Sequence, residues 1–209
     1  MPPGPASHEA PGPAAVLVPV KAFARAKVRL APALSPADRA RLARSMATRV
    51  VESAAGIPVS VVCDDLEVAA WARDLGASVI WEPGRGLNPA VQEGVAHLRR
   101  AGVEIVVVAA GDLPLANDLR WVARFHGVTI VPDRRRDGTN VIGLPCSAGF
   151  EFAYGPGSFA RHLDAAKRTG LPLRVVHHSP LAWDVDVPDD LLAFRSPAAS
   201  SVRGSTTLR

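Results

Sequence analysis

Ile105-Val-Val-Val-Ala-Ala-Gly-Asp-Leu-Pro114 is the most apolar stretch of this chain of 209 residues, and it carries one carboxylate, Asp112, near its end. A short, continuous apolar run of this kind predicts a strand that is buried on both faces, as in parallel sheets. Leu113-Pro114 makes the chain turn directly afterwards. Ligands of open α/β sheets collect beyond the carboxyl ends of the strands. We therefore expect Asp112 to lie at a binding edge of the sheet.

Apolar runs and helical patterns alternate along the first half of the chain. We predict strands over 15–20, 58–63, 77–81 and 104–109, and helices over 36–55, 66–75 and 89–100. Four such steps in series imply a mostly parallel sheet with helices on both faces, which is a three-layer α/β fold.

The second half of the chain is less regular. We predict a polar loop over 132–140, an antiparallel strand at the edge of the sheet over 141–144, a helix over 157–169, a strand over 173–177 and a short helix from residue 188. We expect one domain over residues 14–195, between a disordered leader of residues 1–13 and a disordered tail of residues 196–209.

Composition narrows the classes of function. Hydrophobic residues make up 48% of the chain, but no apolar run reaches the roughly 18 residues of a membrane span. The start of the chain lacks the pattern of a signal peptide, so we expect a cytoplasmic protein with no membrane partner. The net charge is +4, yet the arginines are scattered and aromatic residues are few, which argues against nucleic acid. Small polyanions fit this charge equally well.

The loop after the first strand carries four cations, Lys21, Arg25, Lys27 and Arg29. The chain has neither a Walker-type phosphate loop nor a GxGxxG turn at this point. Cationic side chains at the edge of the sheet would instead neutralise phosphate groups. The alternative is a solvated basic loop, because lysine and arginine are mostly exposed.

Acidic residues suggest a metal site. Asp112 ends the central strand, and Asp184-Val185-Asp186 places two carboxylates on one face of an extended segment. Mg²⁺ prefers such oxygen ligands and takes others from water and substrate phosphates. The alternatives are a turn aspartate at Asp112 and, for Asp189 and Asp190, a place in the first turn of the last helix.

Two further loops are typical of anion sites. Asp137-Gly-Thr-Asn140 follows three arginines, and Tyr154-Gly-Pro-Gly-Ser158 leads into a helix whose N-terminal amides can bind phosphate. Purely structural glycine turns are the alternative. His162 is interpreted as a packing histidine, and the absence of a nucleophile with a matching base argues against a hydrolase.

A series of short motifs runs from about residue 15 to residue 192: Val18-Pro-Val-Lys21, Ala26-Lys-Val-Arg-Leu30, Gly86-Leu-Asn88, Gly111-Asp-Leu-Pro114, Asp137-Gly-Thr-Asn140, Gly155-Pro-Gly-Ser-Phe159 with His162, and Asp184-Val-Asp186. In order and spacing they resemble the guanylyltransferases of coenzyme F420 biosynthesis. That resemblance implies a Rossmann-like nucleotidyltransferase (GT-A-like) fold. It also implies transfer of the guanylyl group of GTP to a three-carbon phospho-acid, with release of pyrophosphate.

The resemblance also implies roles for single residues. Asp112, Lys21 and Lys27 would be catalytic. Asp112, Asp184 and Asp186 would bind Mg²⁺; Lys21, Lys27, Arg29 and Asn88 would bind the nucleotide; and Thr139, Gly155 and Ser158 would bind the phosphate of the acceptor. The chain departs from the family pattern at two positions in the site loops: Ala22 stands where a proline is usual, and Pro89 follows Asn88. These changes affect loop geometry more than charge, so they bear on the choice of base more than on catalysis.

The acceptor that we expect is phosphoenolpyruvate, as in bacterial members that resemble this chain. The alternative acceptors are 2-phospho-L-lactate, 3-phosphoglycerate and, as in related nucleotidyltransferases, molybdopterin. The alternative to an enzyme is a nucleotide-binding protein without catalysis. The product would pass to the next enzyme of the pathway, and the oligomeric state is left open.

Overall fold

Seven strands form a single sheet in the computed structural model, which describes residues 13–195. The strands are Ala14–Pro19 (β1), Val59–Cys63 (β2), Ser78–Trp81 (β3), Ile105–Ala109 (β4), Val128–Pro132 (β5), Thr139–Pro145 (β6) and Leu173–Val175 (β7). The helices are Pro36–Glu52 (α1), Leu66–Asp74 (α2), Leu87–Arg100 (α3), Arg120–Ala123 (α4), Ser158–Arg168 (α5), Ser179–Ala182 (α6) and Pro188–Arg195 (α7). The predicted tail and the predicted leader, apart from Pro13, lie outside the described residues.

The strand order is β3-β2-β1-β4-β6-β5-β7. Every strand runs in the same direction except β6, which is antiparallel to both of its neighbours. The predicted fold class, a mostly parallel sheet in a three-layer α/β domain, is confirmed. The antiparallel strand was predicted at an edge, however, and it lies between β4 and β5. Its main chain is paired on both sides, and six of its seven residues are buried.

The two faces of the sheet carry separate apolar cores because successive strand residues point to opposite sides. Val16 and Val18 of β1 pack with α1 and α2, whereas Ala15 and Leu17 pack with α3 and α5. This alternation in the central strand gives the three layers. Both cysteines, Cys63 and Cys146, are free and buried.

The helix starts show where local chemistry decides the structure. The Ser35 side chain accepts a hydrogen bond from the Asp38 main-chain N–H, with Pro36 in the first turn, which confirms the predicted start of α1. Helix α3 begins at Leu87, two residues before the predicted start. Gly86 precedes it at a φ of 74°, a conformation that glycine adopts easily. Asn88 therefore lies in the first helical turn.

No helix within residues 13–195 combines the length and the apolar character that crossing a bilayer would require.

Candidate active site

A cleft of about 730 Å³ lies at the carboxyl ends of β1, β2, β3 and β4. Its volume is within the range of small-molecule sites. Its charged lining residues are Lys21, Arg25, Lys27, Arg29, Asp64, Glu82, Asp112 and Asp186. Four cations and four acids thus share a cleft at the edge of the sheet where the sequence predicted a binding site.

Lys27 joins the central strand to the distant acidic segment. Its Nζ atom donates to Asp112 Oδ2 at 2.6 Å and to Asp186 Oδ1 at 2.9 Å. Only 9% of the Lys27 side chain is exposed. Burial disfavours the ammonium, but the charges of Asp112 and Asp186 outweigh it, so that the pKa of Lys27 is raised. The predicted residues Lys27, Asp112 and Asp186 are therefore brought together.

The backbone at this point is unusual as well. Lys27 has a φ of 54°, in the left-handed region that residues other than glycine rarely adopt. Such conformations persist where the surroundings hold them, and they cluster at functional sites. The two carboxylates hold the Lys27 side chain here. Gly111 lets β1 and the segment after β4 approach, since a Cβ atom at this position would lie 3.3 Å from the Pro19 carbonyl oxygen.

Asp184 is the third acid of the predicted metal set. It is buried, and its Oδ1 atom has no hydrogen-bond partner among the described residues. Burial, followed by the charge of Asp112, raises the pKa of Asp184 to about 6. A buried carboxylate oxygen without a partner beside further carboxylates is destabilising unless a cation approaches it.

Asp190 holds the acidic segment in place. Its Oδ2 atom accepts from the main-chain N–H groups of Asp186 and Val187, at 2.8 and 3.0 Å. Its Oδ1 atom pairs with Arg134 and, at 2.7 Å, with Arg135. Burial opposes its ionisation, but these hydrogen bonds lower the pKa of Asp190 to about 2. Asp190 thus has the predicted place in the first turn of the last helix. It also links this helix to the loop that carries Arg134 and Arg135.

The remaining predicted cations lie at the rim of the cleft. Lys21 is exposed, and the Arg29 side chain is 72% exposed, with its Nη1 atom 3.7 Å from Asp186 Oδ2. Both side chains line the cleft. They are free to turn toward an anionic ligand, whereas Lys27 is held by two carboxylates.

Asn88 does not line the cleft directly. Its side-chain amide exchanges two hydrogen bonds with the main chain of Tyr154, at 2.7 and 3.3 Å. One turn later Gln92 accepts from the Phe152 N–H and donates to the Phe150 carbonyl oxygen. The two amides hold the extended segment before Gly155 as a neighbouring strand would. Since the Asn88 amide is engaged in this way, its predicted nucleotide contact stays a prediction.

The two predicted anion loops meet each other. Asp137 accepts from the Gly157 N–H at 3.1 Å, and its main-chain carbonyl oxygen accepts from the Phe159 N–H at 2.9 Å. The Asp137 carboxylate thereby fills part of the anion position at the start of α5. Ser158 is buried, and its N–H donates to the Gly155 carbonyl oxygen.

Thr139 is buried and contacts His162. The Nε2 atom of His162 accepts from the Ala153 N–H, so the proton lies on Nδ1 and is donated to Thr139 Oγ1 at 3.0 Å. Burial and the nearby charge of Arg161 lower the pKa of His162 to about 4. The histidine is therefore neutral and fully bonded, and the prediction of a packing residue is confirmed.

The predicted metal ligands are Asp112, Asp184 and Asp186. Among residues 13–195, no three His, Cys, Asp or Glu side chains are gathered as a finished metal site. The Lys27 ammonium lies between Asp112 and Asp186, where it supplies positive charge. The donors nevertheless suit a hard divalent cation, because they are carboxylate oxygens and Asp184 Oδ1 has no hydrogen-bond partner within residues 13–195.

Sequence reasoning missed two acids that line the cleft, Asp64 and Glu82, and one amide that supports a neighbouring segment, Gln92. Asp64 and Glu82 follow β2 and β3, and the same position at strand ends that singled out Asp112 could have found them. Gln92 has no local motif, and its role emerges only when α3 packs beside the segment before Gly155.

Comparisons with known proteins identify the family of this chain. Residues 14–195 match the family model described as "Guanylyl transferase CofC like". The phosphoenolpyruvate guanylyltransferase of Rubrobacter xylanophilus is 38% identical over 90% of this chain and 96% of its own. The enzyme of the same name from Sphaerobacter thermophilus is 36% identical over 91% of this chain and 98% of its own.

A solved structure supports the fold. A protein from Desulfovibrio desulfuricans, described as a nucleotide-diphospho-sugar transferase, superposes with a TM-score of 0.72 at 19% identity, over 92% of this chain and 91% of its own. At this identity the likeness concerns the fold alone. The family assignment rests on the sequence matches, which cover nearly all of the described residues, and the chain therefore belongs to the CofC-like guanylyl transferase family.

Proposed function

We propose that this enzyme transfers the guanylyl group of GTP to phosphoenolpyruvate, as a step in coenzyme F420 biosynthesis. The observation that carries this proposal is the Lys27 ammonium between Asp112 and Asp186, in a cleft whose other cations are exposed and within reach of phosphate groups. The names of the relatives supply the nucleotide and the acceptor.

The reaction is a substitution at the α-phosphorus of GTP. A phosphate oxygen of phosphoenolpyruvate forms a new P–O bond to the α-phosphorus while the bond to the β-phosphate oxygen breaks, and pyrophosphate leaves. The attacking oxygen is already anionic near neutral pH, so no general base is needed. This agrees with His162, whose two ring nitrogens are both engaged in structural hydrogen bonds. Positioning and charge neutralisation would supply the rate.

Mg²⁺ would be held by Asp112, Asp184 and Asp186. When bound, it would neutralise charge on the phosphate oxygens and help to orient them. Asp184 Oδ1, which has no hydrogen-bond partner in the described part of the chain, and the nearby charges of Asp112 and Asp186 support this set.

Lys27 would donate hydrogen bonds to the triphosphate from its present position beside Asp112. Lys21 and Arg29 would approach the triphosphate from the rim of the cleft. Their exposure gives them the freedom to follow a mobile anionic ligand, and each adds a point charge or a fork of donors toward phosphate oxygens. Asn88, in the first turn of α3, would contribute to binding of the nucleotide.

The acceptor would bind where the two anion loops meet. Thr139, Gly155 and Ser158 would contact its phosphate, which would replace the Asp137 carboxylate at the Gly157 N–H. The acceptor would then lie next to Tyr154, which lines the cleft. The product would then pass to the next enzyme of the pathway.

Pyrophosphate release from a panel of substrates tests the proposal. The four nucleoside triphosphates are each combined with Mg²⁺ and with phosphoenolpyruvate, 2-phospho-L-lactate or 3-phosphoglycerate, and the next pathway enzyme is added to remove inhibiting product. We expect release with GTP and phosphoenolpyruvate, its loss in Asp112→Ala, and its retention in Glu151→Gln, since that side chain is 82% exposed. A preference for another acid would reassign the acceptor, and no release with any acid would refute guanylyl transfer.

A further inference from the structure

The cleft has a second, acidic end that the transfer of phosphate does not explain. Asp64 and Glu82 line it at the ends of β2 and β3, and the cations of the cleft all belong to the loop after β1. A carboxylate is a poor neighbour for a triphosphate, because like charges repel. Its partner at this end must instead present hydrogen-bond donors.

The distance across the sheet suits a nucleotide. Strands β4 and β3 are separated by β2 and β1, so three strand spacings of about 4.8 Å, or about 14 Å, lie between the ends of these strands. A nucleotide with its phosphates beside Asp112 would extend its base toward the acidic end. Val62, Leu87 and Ala90 supply apolar walls there, against which a planar ring can pack.

Glu82 is better placed for a ligand than Asp64. Its side chain is 16% exposed, whereas Asp64 is an exposed residue. The Glu82 main-chain N–H donates to the Cys63 carbonyl oxygen at 3.0 Å, which fixes the residue beside β2. Its only charged partner among the described residues is Arg85, whose Nε atom lies 3.5 Å from Glu82 Oε2 and whose side chain is 60% exposed. A pair this long and this open leaves the carboxylate available.

We propose that Glu82 selects guanine by accepting hydrogen bonds from the N1–H and the 2-amino group of the base. An ionised carboxylate offers two acceptor oxygens and no donor, and guanine presents two adjacent donors. Adenine presents an acceptor at N1 and lacks the 2-amino group, so it would face the carboxylate with a lone pair. Asn88 cannot take this role while its amide is bonded to Tyr154. This inference rests on the proposed use of GTP.

Equilibrium binding of base analogues tests the role of Glu82 without relying on turnover. Inosine triphosphate lacks only the 2-amino group, and xanthosine triphosphate carries a carbonyl in its place. In the presence of Mg²⁺, we expect the protein to bind GTP on the order of 10- to 100-fold more tightly than inosine triphosphate, as for a hydrogen bond to a charged group. In Glu82→Ala this ratio should fall to about one, through weaker binding of GTP.

Glu82→Gln gives a gain that misfolding could not produce. Its amide can donate to the 2-carbonyl group, so this variant should bind xanthosine triphosphate more tightly than the parent protein does. Glu151→Gln, at a carboxyl that is 82% exposed and does not line the cleft, is the control and should keep the parent ratios. An unchanged ratio of GTP to inosine triphosphate in Glu82→Ala, or loss of the ratio in Glu151→Gln, would overturn the assignment.

Pyrophosphate release with the same analogues separates this inference from the proposed function. Selective binding of GTP through Glu82 without release from any acid would leave the inference standing and refute guanylyl transfer. Guanylyl transfer with unchanged base selectivity in Glu82→Ala would refute the inference alone.

Discussion

Replacing Asp184 with asparagine should stabilise the metal-free protein while abolishing its activity. The pKa of Asp184 is raised from 3.8 to about 6 by burial and by Asp112. A shift of about two units, at about 1.4 kcal/mol per unit, corresponds to about 3 kcal/mol by which the ionised group destabilises the fold at neutral pH. Asparagine removes the charge but keeps a buried polar group without a partner, so about 3 kcal/mol is an upper limit for the gain.

The gain should depend on pH in a defined direction. A carboxyl group with a raised folded-state pKa destabilises the fold only when it is ionised, so stability falls as pH rises from about 4 through about 6. The penalty from Asp184 is about half as large at pH 5 as at pH 7.5, where it is about 3 kcal/mol. The difference in unfolding free energy between Asp184→Asn and the parent protein should therefore grow by up to about 1 kcal/mol between these two pH values.

Urea unfolding in the presence of a chelator measures these quantities, with Glu151→Gln as a control at an exposed carboxyl. Added Mg²⁺ should raise the stability of the parent protein but not that of Asp184→Asn, because a ligand that binds only the folded state stabilises it. Equal stability of the two proteins at pH 7.5, or a gain that does not change with pH, would refute the reasoning about the buried charge.

Three further substitutions test the contacts around the cleft. Asp190→Ala leaves Arg134 and Arg135 without their buried partner and should lower the unfolding free energy by about 3 kcal/mol or more, measured by urea unfolding at pH 7. An effect below about 1 kcal/mol would show that the Asp190 ion pairs contribute little to stability. Lys27→Met should abolish pyrophosphate release. It should also lower the melting temperature of the metal-free protein, because it leaves Asp112 unpaired. An unchanged melting temperature would contradict the described ion pairs. Asn88→Ala removes two hydrogen bonds to Tyr154 and should raise the KM for the acceptor more than it lowers kcat, whereas an unaffected KM would show that the segment before Gly155 is held without it.

Much of the fold could be predicted from the sequence because its strands are short apolar runs that few other structures accommodate. β1, β2, β3 and β4 lie within one or two residues of the predicted ranges. β5 was missed because Thr129 interrupts the apolar pattern; its buried hydroxyl is satisfied by Arg174, a contact distant in the sequence. β6 was placed at an edge because the sequence gives no indication of which strands lie on either side.

The candidate site was predictable in part, for the same physical reasons. The position of Asp112 follows from local sequence, since it lies three residues after the end of a buried strand. Its partners do not: the pairing of Lys27 with Asp186 spans 159 positions and depends on a left-handed backbone conformation at Lys27. The arginine pairs of Asp190 likewise span 55 and 56 positions. Contacts of this kind become apparent only once the sheet is assembled.

Guanylyl transfer to phosphoenolpyruvate is tested by identifying the products of a single reaction. The protein is incubated with GTP, phosphoenolpyruvate and Mg²⁺, and the phosphorus-containing products are followed by ³¹P nuclear magnetic resonance. We expect pyrophosphate and a diester in which a diphosphate joins guanosine to enolpyruvate, in equal amounts, with neither formed by Asp112→Ala. Pyrophosphate that appears without the diester, or unchanged GTP with each of the three candidate acids, would contradict this transfer.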